Sequence, residues 1–221
     1  MIVAIDGPAG AGKSTVARTL AARLGVGYLN TGSMYRALTL LALRTGVDTD
    51  DDAALAALAQ GHVIRLQATP TGDHVMLDGE DVSDAVRNAE VTGAVSHVAS
   101  HRAVRVAIVA LQQAVLTSGD WVADGRDIGS VVCPSADLKV FLTADPEVRA
   151  RRRHAELVAG GDDVLLGDVL QDITRRDAID STRAESPLAI APGAIVIDSS
   201  ARAIDDVVEQ ICGLARGGHR E

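Results

Sequence analysis

The sequence predicts an α/β fold in which a parallel sheet is flanked by helices. Four short, continuous apolar runs, at residues 2–5, 121–123, 138–142 and 194–197, indicate strands that are buried on both faces. Longer segments with a helical spacing of apolar residues lie between these runs. Strands that alternate with helices are typical of parallel sheets with right-handed crossovers.

Eight segments are predicted to form helices. In the first, Val16, Leu20 and Leu24 recur at the spacing of one helix face. The third follows three aspartates, residues 50–52, whose carboxylates can cap a helix start and favour its positive end. In chain order, the predicted helices span residues 13–24, 34–43, 53–59, 91–98, 104–116, 146–158, 164–176 and 204–214.

One segment departs from this alternation of strands and helices. Residues 62–82 alternate apolar and polar side chains over short stretches, as in Val63 with Arg65 and Val75 with Leu77. The sequence TPTGD at residues 69–73 reads as a turn between these stretches. The segment therefore predicts a small antiparallel hairpin or three-stranded sheet, carried by an insertion in the α/β core.

The composition excludes several classes of protein. Of 221 residues, 47% are hydrophobic and 23% are charged, as in ordinary globular domains. The net charge of −9 argues against general nucleic-acid binding, which needs a surplus of cations. No apolar run of about 18 residues indicates a membrane span, and the apolar N-terminus is too short for a signal peptide. The two cysteines have neither metal-ligand nor disulfide spacing, so we expect a cytoplasmic protein.

A glycine-rich loop lies between the first predicted strand and the first predicted helix. Residues 7–14, GPAGAGKS, fit the pattern G-x-x-x-x-G-K-[ST] without a mismatch. Main-chain N–H groups of such a loop surround a phosphate, Lys13 reaches the β- and γ-phosphates, and the Ser14 hydroxyl can bind Mg²⁺. The nucleotide-binding residues are therefore predicted to be Gly7, Pro8, Ala9, Gly10, Ala11, Gly12, Lys13, Ser14 and Thr15.

The second apolar run narrows the class of phosphate-loop protein. It ends in Asp124, which is followed by Gly125, Arg126 and Asp127. Asp124 is a candidate Mg²⁺ ligand, and Arg126 could bind a second phosphate. GTPases need an N-K-x-D motif, which this chain lacks, and motor ATPases usually carry Asp-Glu at this strand end. The pattern favours phosphoryl transfer to an acceptor over hydrolysis.

Arginines supply most of the positive charge, since only two of the 21 basic residues are lysines. Planar guanidinium groups bind phosphate in bidentate fashion, so arginines from separate segments could form a site for two anions. Four more, at positions 149 and 151–153, precede a Gly-Gly pair, and this segment could be a lid that excludes water. One helix cannot direct all four toward the same site.

Five stretches of the chain resemble the bacterial cytidylate kinases, a family of nucleoside-monophosphate kinases. The stretches are collinear, and the second and fourth are far more specific together than the phosphate loop alone. They are IDGPAGAGKST at 5–15, YLNTGSMYR at 28–36, VR at 104–105, ADGRDIG at 123–129, and RRDAIDSTRAESPL at 175–188.

The resemblance implies a reaction and an architecture. The reaction is ATP-dependent phosphorylation of CMP and dCMP to CDP and dCDP with Mg²⁺, and a monomer is expected. The implied fold is a P-loop core with a five-stranded parallel sheet, formed by residues 1–30 and 119–221, with a lid at about 149–168. Residues 31–118 would form the nucleoside-monophosphate-binding region, with an antiparallel insert at about 62–86.

The resemblance also implies roles for individual residues. Ser96, Arg105 and Asp127 would contact cytosine, and a group that accepts from its amino group would reject uracil. The residues implied to bind the acceptor nucleotide are Thr31, Arg36, Ser96, Arg105, Arg126, Asp127, Arg176, Asp180 and Arg183. Those implied to act in catalysis are Lys13, Arg126, Arg176 and a lid arginine, taken as Arg152, with Arg153 as the alternative.

The chain departs from the family pattern at two positions. The family often has Asp at the position of Asn30, and the lost carboxylate would weaken a water or Mg²⁺ contact. Ser96 matches the family by spacing more than by identity.

Another P-loop kinase, acting on UMP, a different nucleoside monophosphate or shikimate, would share the phosphate loop. A P-loop regulatory NTPase is the remaining alternative, and the acidic charge and missing N-K-x-D count against it.

Overall fold

The computed structural model describes residues 1–69 and 72–217, which contain eight strands and eight helices. In chain order they are β1 (Ile2–Asp6), α1 (Lys13–Leu24), β2 (Gly27–Asn30), α2 (Thr31–Thr45), α3 (Asp52–Gly61), β3 (Ile64–Thr69), β4 (Gly72–Leu77), β5 (Glu80–Asp81), α4 (Ala89–Val98), α5 (Arg102–Leu116), β6 (Trp121–Gly125), β7 (Leu138–Thr143), α6 (Pro146–Ala159), α7 (Leu166–Thr182), β8 (Ile195–Asp198) and α8 (Ile204–Gly217). A short 3-10 turn (Ala85–Arg87) precedes α4, and a π-helical turn (Ile128–Val132) follows β6.

Five strands form a parallel sheet in the order β2-β6-β1-β7-β8. The expected α/β class and the five-stranded core are confirmed. The apolar pattern had indicated four of these strands and missed β2, whose four residues contain only two apolar side chains, Tyr28 and Leu29. The carboxyl ends of β1, β2 and β6 lie side by side, with Asp124 beside Ile5 and Asn30. Residues that follow these strands therefore meet at one edge of the sheet.

Helices cover both faces of the parallel sheet. Alternate residues of β1 point to opposite faces, as the strand period requires. Val3 and Ile5 pack with apolar residues of α1 and α8, including Leu20 and Ile211. Ala4 lies on the other face, in a cluster with residues of β2, α5 and β6. Both faces are buried, which explains why the strands are continuous apolar runs.

A second sheet is antiparallel, in the order β3-β4-β5. Ile64 pairs with Leu77 and Leu66 with Val75. The buried side chains of this sheet pack in one core cluster with α2, where Leu38 is fully buried. The predicted antiparallel segment is thereby confirmed, while Pro70 and Thr71 of its predicted turn lie outside the described residues.

Two helices extend beyond their predicted limits toward the site. α2 begins at Thr31 because the Asn30 side chain accepts a hydrogen bond from the Ser33 amide at 3.0 Å and so caps the helix. Its first turn is polar and carried no apolar signal. α7 continues to Thr182, one and a half turns past the predicted end, and thereby includes Asp180. Among the described residues, no helix is long and apolar enough to cross a membrane.

Candidate active site

The glycine-rich loop runs from the end of β1 to the start of α1. Gly7 has a φ of +150°, and a Cβ there would lie 2.0 Å from the Leu142 carbonyl oxygen, so only glycine fits against β7. Gly12 precedes α1 in the left-handed conformation, with φ of +86°. The first N–H groups of α1 and the partial positive charge of its N-terminus therefore face the loop.

Lys13 lies inside the loop. Its side chain is buried, and the ammonium group donates to the Pro8 carbonyl oxygen at 2.7 Å. Burial, and then the charge of Arg126, lower the pKa of Lys13 well below its ordinary value. A bound anion would restore the favourable environment for the ammonium charge, as expected of a phosphate-binding lysine.

Ser14 and Asp124 lie next to each other at the carboxyl end of β6. The Ser14 hydroxyl donates to Asp124 Oδ2 at 2.8 Å, and the Tyr28 hydroxyl donates to Oδ1 at 2.9 Å. Asn30 completes the group by donating to the Ser14 and Tyr28 hydroxyls at 3.3 Å and 3.1 Å. Burial raises the pKa of Asp124, so a cation beside this carboxylate would offset the cost of its charge.

This oxygen-rich group fits the preferences of Mg²⁺. The described residues contain no cluster of three or more histidine, cysteine or carboxylate side chains able to hold a metal ion. Mg²⁺ does not need such a cluster, because it is usually bound through one or two carboxylates together with substrate phosphates and water. The hydroxyl oxygen of Ser14 and the carboxylate oxygens of Asp124 could act as ligands of Mg²⁺ at such a site. The structure adds Tyr28 and Asn30 as neighbours that motif spacing alone had not assigned.

One pocket contains all nine residues expected to bind the acceptor, and its Arg126 and Asp180 act electrostatically on Lys13 of the phosphate loop. Its lining comes from α2, α4, α5, α7 and the segment after β6. The nine are Thr31, Arg36, Ser96, Arg105, Arg126, Asp127, Arg176, Asp180 and Arg183, and they are joined by Gly32, Tyr35, Val95, Ala99 and Gly125. The pocket therefore brings together residues from widely separated parts of the chain.

The pocket carries an excess of positive charge, since five arginines accompany two aspartates. Burial, followed by the charge of Arg176 and other arginines, lowers the pKa of Arg36 to about 9. Burial and the charge of Arg126 lower the pKa of Arg176 as well. Within the described part of the chain, the buried Nε of Arg176 and one Nη of Arg183 lack a hydrogen-bond partner. An anion in the pocket would satisfy these donors.

Two aspartates organise the pocket through their ion pairs with arginines. Asp127 accepts a hydrogen bond from Arg105, and Arg183 lies 4.0 Å from the same carboxylate. Asp180 accepts from Arg126 Nε at 2.8 Å. Burial alone would raise the pKa of Asp180, but the charge and hydrogen bond of Arg126 hold this pKa below its ordinary value. Asp180 is thereby kept as a charged acceptor.

Thr31 and Tyr35 line the pocket from the first two turns of α2. The Thr31 hydroxyl donates to the Asp124 carbonyl oxygen at 2.8 Å, which ties this helix to β6. Tyr35 packs in the core cluster of α2, and its ring centre lies 5.4 Å from the Arg105 guanidinium carbon. A cation over an aromatic ring is stabilised by the ring electrons, so Tyr35 helps to hold Arg105 in place.

The arginines of α6 do not all face this pocket. Arg152 donates to the Ser199 hydroxyl and carbonyl oxygens at 3.0 Å and 2.6 Å, so the structure does not bring it to the pocket. Arg153 is paired with Glu156, and its charge lowers the pKa values of both Arg36 and Arg176. Of the two arginines considered for the lid, Arg153 is therefore the one electrostatically coupled to the pocket.

Fold and site together define a class of protein. A phosphate loop at the end of β1 and an arginine-lined pocket beside it make two adjoining anion sites on a parallel α/β core. Such an arrangement is that of a P-loop kinase of small molecules, with one site for the donor and one for the acceptor.

Comparison with known proteins gives the family. The family model of cytidylate kinase matches residues 3–217. A cytidylate kinase of Pelotomaculum thermopropionicum is 49% identical over 220 residues, which are 99% of this chain and 97% of that protein. One of Rhodococcus opacus is 48% identical over 212 residues, or 96% and 93% of the two chains. The chain belongs to the cytidylate kinase family and is an enzyme.

A solved structure shares the fold of this chain. A crystal structure of an uncharacterized protein from Eubacterium ventriosum superposes with a TM-score of 0.51 at 13% identity, covering 98% of each chain. At that identity the likeness concerns the fold alone.

Proposed function

We propose that this protein transfers the γ-phosphoryl group of ATP to CMP and to dCMP. Membership of the cytidylate kinase family supports this reaction. The observation that carries the proposal is one pocket that joins nine acceptor-binding candidates, two of which, Arg126 and Asp180, act electrostatically on Lys13 of the phosphate loop. Within residues 1–69 and 72–217, no structural feature favours shikimate or a regulatory NTPase over this reaction.

On the donor side, residues 7–15 bind the triphosphate of ATP. Main-chain N–H groups of the loop and the start of α1 bind its phosphate oxygens, and Lys13 turns from Pro8 to the β- and γ-phosphates. Ser14 and Asp124 would hold Mg²⁺, which when bound supplies neutralising charge on the donor phosphates.

On the acceptor side, the base is recognised by Asp127, Arg105 and Ser96. The Asp127 carboxylate is buried beside Arg105 and Arg183 and can accept from the amino group of cytosine. Uracil presents a carbonyl oxygen there, which would give Asp127 no donor from the base and bring two acceptors together. Such a mismatch in a buried polar site discriminates strongly against the wrong ligand.

The remaining pocket residues bind the sugar and phosphate of the acceptor. Arg36, Arg126 and Arg176 surround the phosphate, and the unpartnered Nε of Arg176 is one of the donors open to it. Asp180 accepts from ribose hydroxyl groups, while Thr31 closes the pocket near β6. The arginines also neutralise charge between donor and acceptor, which would otherwise repel each other.

The reaction needs no covalent intermediate. The acceptor phosphate is an anion that attacks the γ-phosphorus in line, so no side chain has to act as a strong base. Lys13, Arg126 and Arg176 act by positioning the two phosphates and by stabilising the charge of the transferred group. Residues 149–168 act as a lid that excludes water, with Arg153 or Arg152 directed at the transferred group.

We propose the same division of the chain as the resemblance implied. Residues 1–30 and 119–221 form the donor-binding core, and residues 31–118 form the acceptor-binding region. The protein works as a cytoplasmic monomer.

A coupled assay of ADP formation tests the proposal. Purified protein is given ATP, Mg²⁺ and one of CMP, dCMP, UMP, AMP, GMP or shikimate. Turnover should be fastest with CMP and dCMP, and ADP should form slowly without an acceptor. Preference for another acceptor, or ADP formation that needs none, would contradict it.

A further inference from the structure

Asp6 ends strand β1 and is buried, with 3% of its surface exposed. Each of its carboxylate oxygens accepts one main-chain N–H group, from Ile128 and from Gly129, both at 2.8 Å. These two amides begin the π-helical turn that directly follows Arg126 and Asp127. The first N–H groups of a helical turn have no partner within the turn, so Asp6 supplies the partners from a neighbouring strand.

The residue that would ordinarily cap this turn is Asp127. It occupies the N-cap position, where aspartate is among the preferred residues, yet its side chain makes no capping hydrogen bond. The carboxylate instead accepts from Arg105 and lies 4.0 Å from Arg183, at the wall of the acceptor pocket. Asp6 therefore performs a capping role that Asp127 leaves unfilled.

We propose that Asp6 is a positioning residue for the acceptor: by capping the turn after β6, it frees Asp127 to face the base. The inference rests on the proposed function, because it assigns Asp6 to the acceptor site of that reaction. Asp6 touches no substrate and acts through the main chain of Ile128 and Gly129.

The location of Asp6 suits this role. Asp6 pairs with Gly125 in the parallel sheet and is followed directly by Gly7 of the phosphate loop. It therefore links the donor loop to the segment that carries Arg126 and Asp127. A buried carboxylate is costly, and no cation pairs with it directly among the described residues. A purely structural position on this strand could be filled by an apolar residue, as at Val3 and Ile5.

The first test substitutes asparagine for Asp6 in the full chain. Asparagine has one acceptor oxygen, so one of the two amides loses its partner and Asp127 can turn back to cap the turn. The expected result is a rise in the KM for CMP of about tenfold, as for a lost hydrogen bond to a charged group, with the KM for ATP changed less than about twofold. Equal rises in both KM values, or an unchanged KM for CMP, would overturn the proposal.

The matched control is Asp137→Asn. Asp137 also accepts a main-chain N–H group of β1, from Ile2 at 2.6 Å, but at the end of the strand away from the pocket. This substitution should leave both KM values unchanged. A rise in the KM for CMP as large as that of Asp6→Asn would show that any loss of a β1 contact has the same effect, and would overturn the proposal.

A double-mutant cycle separates positioning from general damage. Because Asp6 is proposed to act through Asp127, the variant Asp6→Asn with Asp127→Asn should have a kcat/KM for CMP within about twofold of Asp127→Asn alone. Multiplication of the two single effects would overturn the proposal. Were Asp6→Asn unfolded, Asp6→Glu, which retains the charge but displaces it, would be measured by the same two KM values and the same cycle.

The wild-type assay keeps the two hypotheses distinct. Absence of CMP phosphorylation by the wild-type protein would refute the proposed function. CMP phosphorylation by the wild-type protein together with an unaltered Asp6→Asn variant would refute only the role of Asp6.

Discussion

Arg149 and Asp177 form an ion pair against the main chain of the phosphate loop. Arg149 Nη1 lies 2.6 Å from Asp177 Oδ2 and also donates to the Ala9 carbonyl oxygen at 2.9 Å. The Ala9 amide in turn donates to Asp177 Oδ1 at 3.4 Å. Both polar groups of one loop residue are thus held by α6 and α7, and α7 also carries Arg176 and Asp180. The first arginine of the cluster therefore serves the loop and does not point at the acceptor.

Replacing Arg149 should destabilise the fold. Arg149→Ala is expected to lower the free energy of unfolding by about 3 kcal/mol, because it leaves a partly buried carboxylate and a loop carbonyl without their partner. Urea denaturation measures this change. Arg151→Ala is the control, since Arg151 pairs with Glu147 on the surface and its loss should cost less than about 0.5 kcal/mol. Similar small effects in both variants would contradict the assignment.

Arg176 and its neighbour Arg175 give a matched pair for the acceptor phosphate. Arg176→Ala, like Arg126→Ala, should raise the KM for CMP by about tenfold or more, as expected for a lost hydrogen bond to a charged group, with a much smaller rise for ATP. Arg175 is exposed and pairs with Asp172, so Arg175→Ala should change neither value. Steady-state kinetics with each substrate varied in turn measure the two KM values. Equal rises in the KM for CMP and the KM for ATP would count against the assignment.

The two candidate lid arginines should differ in their effects. Arg153→Ala is expected to lower kcat by about 100-fold, comparable to loss of one group that stabilises the transition state, because its charge already lies near Arg36 and Arg176. Arg152→Ala should have a smaller effect, since Arg152 is bound to Ser199. A larger loss with Arg152→Ala would instead support the role of Arg152 that the family resemblance implies, and would mean that Arg152 leaves Ser199 when the lid closes.

Asp6 should make stability depend on pH. Burial raises the pKa of Asp6 to about 6 from its ordinary value of 3.8, even though the amides of Ile128 and Gly129 lower it; Asp127 raises it and Lys13 lowers it further. The folded state therefore binds the proton more tightly than the unfolded state. The stabilisation from Asp6 is complete below about pH 4 and is lost as the pH rises through about 6.

Comparison with Asp6→Asn isolates this effect. Between pH 4 and pH 7, the free energy of unfolding of the wild type should fall relative to that of the variant by about 2.4 kcal/mol, most of the full difference expected at 1.36 kcal/mol for each unit of pKa difference. Denaturant unfolding at a series of pH values measures the difference. A difference that stays constant over this range would show that the pKa of Asp6 is not raised.

The parts of this site that depend on local sequence could be predicted, and those that depend on tertiary contacts could not. The phosphate loop could be predicted because its glycines, Lys13 and Ser14 occur at fixed spacing between a strand and a helix. The roles of Thr31, Ser96 and Asp180 came only from the resemblance, whereas Arg126 was a phosphate-binding candidate from the end of its strand. No local pattern joins Arg36 to Arg183. Asp6 was missed because its partner amides lie 122 and 123 residues away.

In the fold, too, some elements could be predicted from local sequence and others could not. Strands buried on both faces appear as apolar runs, whereas β2 is too short and too polar at its ends to stand out. The start of α2 is set by a cap at Asn30 and not by apolar spacing. The α6 arginines could not be sorted from the sequence, because their directions depend on the contacts of Arg149 with Asp177, Arg152 with Ser199 and Arg153 with Glu156.

The most direct measurement follows the labelled γ-phosphoryl group of ATP in a single turnover with CMP. The label should appear in CDP with the wild type, and its transfer should slow by about 100-fold or more with Lys13→Ala, which removes a donor to the transferred group. Lys139→Ala, which removes the other lysine of the chain, should match the wild type. Label released as inorganic phosphate while CMP stays unchanged, or near-normal transfer by Lys13→Ala, would contradict direct transfer between the two anion sites.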